Sequence, residues 1–172
     1  MLQLPEVLNN FNLYNDTEKL IGQTGDIELP ELEALTETLD GAGILGEIED
    51  PVTGQFKSSS SKITWSCLNK DYFKLLNTTK PCQLTLRASL QCMDTSTGVT
   101  DYYACKIVMR GKAKTIGLGT ASKGKKMECE TEIETTYIKV VVGGSTLLEL
   151  DKLNFKFVLN GVDMLKKIRK QI

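Results

Sequence analysis

Glu128-Cys-Glu-Thr-Glu-Ile-Glu-Thr-Thr-Tyr-Ile-Lys-Val-Val-Val142 is the stretch whose reading decides the fold. Its first eight residues alternate, and a period of two belongs to a strand, where successive side chains point to opposite faces. Glu128, Glu130, Glu132 and Glu134 fall on one side, with Cys129, Thr131, Ile133 and Thr135 on the other. Carboxylates that neighbour one another on one face repel, so that face needs water or bases. It reads either as a solvated strand face or as the wall of a water-filled channel, which the alternation of a large barrel allows.

Moving outward, Tyr102 to Arg110 also alternates, and a Gly/Lys-rich stretch separates the two segments. Within it, Gly119-Thr-Ala-Ser-Lys-Gly124-Lys125-Lys126 approaches a phosphate-binding loop, but Lys126 stands where Ser or Thr must hold magnesium. The residues that follow alternate as a strand instead of opening a helix, so this is a plain loop. After Val142, a Gly143-Gly144 turn leads into a strand over Ser145 to Leu159, with Leu147, Leu153, Phe155, Phe157 and Leu159 on one side. Asn160-Gly161-Val162-Asp163 then introduces a short basic helix, capped by Asp163 and apolar at Leu165, Ile168 and Ile172. Lys166, Lys167, Arg169 and Lys170 face outward there and complement the helix dipole.

Towards the N-terminus, Cys82 to Cys92 is the cleanest strand, and Asp94 to Gly98 turns it into the next one to make a hairpin. Asn69 is placed to cap a helix over Lys70–Asn77 that buries Tyr72, Leu75 and Leu76 and stops before Pro81. Asp50-Pro-Val-Thr-Gly54 reads as a turn, and Ser58 to Ser61 as a polar linker into a short strand at Ile63 to Ser66. Leu20 to Leu29 reads as a strand ended by Pro30. In Glu31 to Ile48, Leu32, Leu35 and Leu39 suit a helix, whereas Thr36, Thr38 and Gly41-Ala-Gly43 suit an extended arm, the favoured reading. Residues 1–16 read as an N-terminal arm ordered on contact. The fold class is mainly β, with one internal helix and a short C-terminal one.

A length of 172 residues predicts a single domain over 1–172, and 41% apolar with 25% charged residues is ordinary for a soluble chain. No apolar run approaches the about 20 residues that span a bilayer. The first residues lack the basic and apolar blocks of a secretory signal, so none is expected. With no histidine, nucleophile systems built on His and Cys/His zinc sites are excluded. The carboxylates show no acid/base spacing, so no catalytic, cofactor-binding or metal-ligating residue is expected. Five cysteines without C-x-x-C spacing read as reduced, cytoplasmic packing residues.

The net charge of −1 conceals an asymmetry. Lys19 is the only base in residues 1–50, which are rich in acids, whereas 106–126 hold seven bases and no acid. Either the fold neutralises itself internally, or an acidic surface on one copy meets a basic surface on the next.

Met109-Arg-Gly-Lys112, the Gly117 to Gly124 loop, Thr136-Tyr137, Leu150-Asp151 and, above all, Asn160-Gly-Val-Asp163 followed by Leu165 and Arg169 form an ordered series. With Asn12-Leu-Tyr-Asn15, Ile27-Glu-Leu-Pro30, the Gly41, Gly43, Gly46 cluster and Trp65-Ser66, it resembles the major tail tube protein of contractile-tailed bacteriophages, also found in phage-tail-like bacteriocins. The resemblance covers nearly the whole chain, although 47–61 match loosely. It implies a β-sandwich or barrel-like body whose long hairpins, about Leu32 to Trp65 and Ala104 to Val142, form an inner β-barrel in a hexameric ring. Rings would stack head to tail into a rigid tube that a contracting sheath drives through the target envelope, with DNA passing down the lumen in a phage. A tape measure protein in the lumen, a baseplate and a terminator are further implied partners. Assembly would take place in the host cytoplasm, and the product would be a virion tail or a released tail-like particle.

On this reading Glu128, Glu130, Glu132 and Glu134 face the lumen. Asp40, Gly41 and Gly43, in a loop towards the next ring, and Lys123, Lys125 and Lys126, at a hairpin tip, make inter-ring contacts. The rival class is a monomeric β-barrel module that binds polyanions through the Lys106–Lys126 loop.

Overall fold

The computed structural model describes residues 2–20 and 24–172. The strands are β1 (Gln3–Asn15), β2 (Glu18–Leu20), β3 (Thr24–Glu28), β4 (Ala34–Leu39), β5 (Ile48–Phe56) and β6 (Ser60–Trp65). Helix α1 (Lys70–Leu75) precedes β7 (Cys82–Asp94), β8 (Thr100–Gly117), β9 (Cys129–Val142), β10 (Ser145–Asp151), β11 (Lys156–Leu159) and β12 (Val162–Asp163), and α2 (Lys166–Arg169) ends the chain. The molecule is mainly β, with two short helices. One sheet runs β12-β11-β10-β9-β8-β7-β1-β2, with β6 attached to β9 and β3 to β6, and β4–β5 form a separate two-stranded ribbon.

Strand β9 organises this arrangement. Along one edge it pairs with β8, from Cys105↔Val142 to Gly117↔Glu130. Its other edge is divided: Tyr137–Val142 pair with β10, and Cys129–Glu134 pair with β6. Register shifts at Arg110/Gly111 and Ala113/Thr115 bend β8 near the division. Bulges of this kind kink a strand and increase its twist. Gly111 is required there, because a Cβ would lie 1.9 Å from the Glu134 carbonyl oxygen.

The core draws Leu13 of β1, Ile63 and Trp65 of β6, Leu84 and Leu86 of β7 and Leu150 of β10 into one cluster. Strands so far apart in the order meet only because the sheet coils around them. Helix α1 closes the cluster. Asn69 accepts the Tyr72 amide at 2.8 Å, and Tyr72 meets Trp65 edge-on at 5.6 Å, both rings fully buried. The Tyr72 hydroxyl donates to the Gly117 carbonyl at 2.8 Å, which anchors the helix to β8. Aromatic side chains of this size contribute about 1.5–3 kcal/mol each when fully buried.

The hairpin through Asp94–Gly98 and the loop over Gly119–Lys126 agree with the structure, the helix read over Lys70–Asn77 starts at Lys70 and ends at Leu75, and of the extended reading of Glu31–Ile48 residues 34–39 form a strand. Other expectations are corrected. Residues 3–15 are not an arm but a strand paired along its length with β7, although Leu2, Leu4, Val7 and Leu8 remain exposed. The Leu20–Leu29 strand is two strands, and 21–23 lie outside the described residues. Asp50–Gly54 is not a turn. It lies within β5, where Pro51 is tolerated because the ribbon's edge asks it for no N–H. Ser60 and Ser61 belong to β6, and Ser61 is buried.

The final long strand is broken after Asp151, whose carboxylate accepts the amides of Leu153 (3.1 Å) and Asn154 (3.0 Å) and turns the chain. Leu153 is therefore exposed, and Phe155 sits at φ +51 instead of in the ladder with Phe157. The C-terminal helix is a single turn. Leu165, not Asp163, occupies its cap position, and Ile172 is 87% exposed.

Desolvation pushes the half-buried Cys82 thiol up to about 11 and raises the buried Cys92, Cys105 and Cys129, which disfavours the nucleophilic thiolate. Gly111→Ala is expected to destabilise the fold by more than about 2 kcal/mol in urea unfolding, because the clash is with backbone. Gly143→Ala, where nothing lies within 4 Å of the new Cβ, should cost about 1 kcal/mol from its positive φ alone.

Candidate assembly surface

The divided edge of β9 leaves a second branch of the sheet, a ribbon packed on the core through Ile63, Trp65, Cys129 and Ile133. Its strands run β8 (residues 112–117), β9 (129–134), β6 and β3 in spatial order, each antiparallel to the next. Strand β7 ends at Cys82 opposite Gly111, after Pro81, so β8 beyond that point has β9 as its one strand partner among the described residues. At the far side β3 pairs, among the described residues, with β6 only. Among the described residues the ribbon therefore carries two free edges, each a row of backbone groups able to pair with another chain.

Its two faces differ sharply. Ile63, Trp65, Ala113, Cys129, Thr131, Ile133 and Thr135 face the body and are buried. The opposite face carries Lys62, Lys112, Lys114, Thr115, Glu130, Glu132 and Glu134, none of them buried. Strand periodicity produces this division, and α1 covers the apolar side. At the free β8 edge, Ile116 and Leu118 stay about half exposed, as does Leu29 just beyond β3.

Three of the four glutamates read from the sequence form one row in β9. Glu128 does not join them: it precedes the strand at φ +53 and is exposed at the ribbon's mouth. Nor is the row bare. Lys62 reaches Glu130 at 2.9 Å, and Lys114 approaches Glu132 at 3.8 Å. The Ser60 and Thr115 hydroxyls donate to Glu132, and Ser58 donates to Glu134 at 2.8 Å. The Ser60 bond, with that from Thr115, holds the Glu132 carboxyl below the usual glutamate value, and the Glu130 hydrogen bond raises Lys62. β6 supplies Lys62, Ser58 leads into it and Lys114 is opposite, so the repulsion expected of the row is largely cancelled within the sheet.

Asp40, Gly41 and Gly43 lie in the loop joining β4 to β5, where the glycines hold φ of +145 and +94 with nothing within 4 Å. This hairpin exposes Leu35, Leu39, Ile48 and Val52, with Ile44 and Leu45 at its tip. Glu37 stands directly opposite Asp50 across it. Like charges so placed are destabilising, and an isolated two-stranded ribbon is marginal in water. Lys123, Lys125 and Lys126 are exposed together in the loop between β8 and β9, a different loop from that of Asp40–Gly43. Among the described residues, no group of three or more Cys, Asp or Glu is placed to hold a metal ion.

Sequence reasoning missed Lys62, Lys114 and the half-exposed Ile116. The lysines' partners are distant in sequence, and Ile116 sits in a segment read as loop.

A ribbon with free edges and one uncovered polar face suits a chain built to join copies of itself, and the family comparison agrees. The model of the family described as phage tail tube protein FII matches residues 5–172. The chain belongs to that family. It is also similar to the tail tube protein of Escherichia phage P2, at 26% identity over 174 residues covering 99% of each chain. The major tail tube protein of Serratia phage KSP20 is 25% identical over 164 residues, covering 95% of this chain and 92% of that one. As a phage tail tube protein, the chain is a structural component of the virion tail and not an enzyme.

A carboxyl held down in the folded state contributes stability in full above its ordinary value of 4.5, and loses it as pH falls through the lower folded value. Glu132→Gln should therefore be less stable than wild type at pH 6 in urea unfolding. The gap should narrow steadily as the pH is taken below about 4.

Proposed function

We propose that this ribbon is the unit of ring closure, and that the β3 edge of one copy pairs with the β8 edge of the next. The observation that carries this reading is the ribbon's construction: two free edges, one face sealed by the body, one face wholly polar. Rotation about a tube axis preserves strand direction, and four alternating strands per copy leave β8 and the neighbour's β3 antiparallel. Closure would also cover Ile116 and Leu118. Six copies would then form a continuous barrel whose polar faces, with Glu130, Glu132 and Glu134 among them and Glu128 near the mouth, line the bore. Because lysines accompany these glutamates, the wall offers a polyanion neither a dense positive track nor strong repulsion.

The rings stack head to tail in this reading. The acidic, apolar β4–β5 hairpin with Asp40, Gly41 and Gly43 reaches one neighbouring ring, and Lys123, Lys125 and Lys126 meet acids of another. Each interface can be modest, since a subunit held by its ring and by the rings above and below gains from multivalency. The assembled tube is rigid, is surrounded by a contractile sheath that drives it through the target envelope, and serves as a DNA conduit in a phage. A tape measure protein occupies the bore during assembly, a baseplate and a terminator close the ends, and assembly proceeds in the host cytoplasm.

Two variants separate the two kinds of contact under negative-stain electron microscopy. Ile116→Asp should abolish rings, while its effect on monomer stability stays within about 0.5 kcal/mol, as for a surface site. The triple reversal Lys123→Glu, Lys125→Glu, Lys126→Glu should leave rings but shorten or abolish stacks. Undiminished tubes from both would defeat the reading. A stable wild-type monomer that retains nucleic acid would favour the polyanion-binding module instead.

A further inference from the structure

Strands β4 and β5 pair with each other and with no strand of the main sheet among the described residues, so the hairpin's direction is decided at its base. That base is gripped by the C-terminal segment. Gly54 has φ +76, and a Cβ on it would lie 2.5 Å from the Leu165 Cδ2, so Leu165, 1% exposed, rests on bare glycine backbone. Beside it, Phe56 meets Phe157 edge-on at 5.1 Å. Leu165 is itself held in place. Asp163 accepts the Leu165 amide at 3.1 Å and ion-pairs with Arg169, which also donates to the Phe155 carbonyl at 2.9 Å. On the other flank, the Lys152 ammonium donates to the Lys57 carbonyl at 3.0 Å, and the Lys57 amide donates to the Glu33 carbonyl at 2.9 Å.

Neither ring closure nor the basic loop uses any of these groups, yet they include Asp163, Leu165 and Arg169 of the most distinctive run in the sequence. We propose that residues 155–169 form a latch that aims the β4–β5 hairpin, and that Leu165 and Gly54 are positioning residues for tube assembly. The lever is long. The six residues of β4 reach about 20 Å, so a tilt of about 15° at the base moves the tip by about 5 Å. A displacement of that size is as large as the spacing between neighbouring strands, and it takes the tip off any complementary surface. The latch thus rests on the stacking reading above, and adds that the hairpin must be directed before a neighbour arrives.

The test compares Leu165→Ala and Gly54→Ala with wild type, with Leu165→Met as the conservative rescue and Lys167→Ala as an exposed control. Hydrogen exchange of the monomers should quicken at amides of 34–53 and stay unchanged at 82–110. The critical concentration for unseeded tube growth should rise about tenfold if the correctly aimed fraction falls to about a tenth. Preformed wild-type tube ends should still accept the variants, because the neighbour then imposes the direction. Leu165→Met and Lys167→Ala should behave as wild type. An unchanged critical concentration would overturn the latch, as would faster exchange spread over the whole body, which marks Leu165 as an ordinary core residue. Failure of wild type itself to form tubes would overturn the stacking reading, and the exchange pattern would still decide whether the hairpin is latched.

Discussion

The structure depends on how strand β9 shares its edges. One edge is given to β8 throughout, while the other is divided between β10 and β6. A strand has room for a single neighbour at each point along an edge, so the division forces the sheet to fork. One branch continues through β10 to β11 and β12 and, with β7 and β1 on the far side of β8, coils around the core. The other, through β6 and β3, packs one face on the same core through Ile63 and Trp65 and leaves its opposite face uncovered. The close approach of Gly111 to the Glu134 carbonyl marks where β8 bends to serve both branches. The edges and the polar face proposed for ring closure lie on that second branch, whereas the β4–β5 hairpin stands apart from both.

Charge in this molecule is settled at two levels. Within the ribbon, Lys62 and Lys114 answer Glu130 and Glu132, and serine and threonine hydroxyls supply the remaining donors. Exposed ion pairs of this kind contribute little stability one by one. Their effect here is to remove repulsion that would otherwise oppose setting the glutamates side by side. The β4–β5 hairpin is different: Glu37 faces Asp50 across the ribbon, and its apolar side chains stay in water. Such a hairpin is poorly stabilised by itself and gains most when a neighbour with apolar and basic groups covers it.

How much was legible in the sequence varied with the range of the interaction. Asn69 as a cap, the alternation of Cys82–Cys92 and the Asp94–Gly98 turn are local, and all three appear where they were read. The same local rules misled at Asp50–Gly54, where Pro and Gly usually mean a turn. An edge strand asks no N–H of Pro51, and Gly54 is needed for the approach of Leu165, which lies more than a hundred residues away. The break after Asp151 was hidden for a related reason, since a carboxylate capturing two amides overrode a continuous apolar pattern. Of the candidate site, the glutamate row was visible apart from Glu128, but its lysine partners were not.

By itself the sequence determined the β class, the two faces of the long strands, the helix over Lys70 and the family, because each follows from neighbours a few residues apart or from an order of short motifs. Tertiary structure alone decided that residues 3–15 form a strand beside β7, that the glutamates sit among lysines, and that the C-terminal run grips the base of the hairpin. Those outcomes rest on which strands become neighbours. Strand pairing is chosen by the coiling of the whole sheet around Trp65 and Tyr72, and a period of two along the chain carries no record of the partner across the gap.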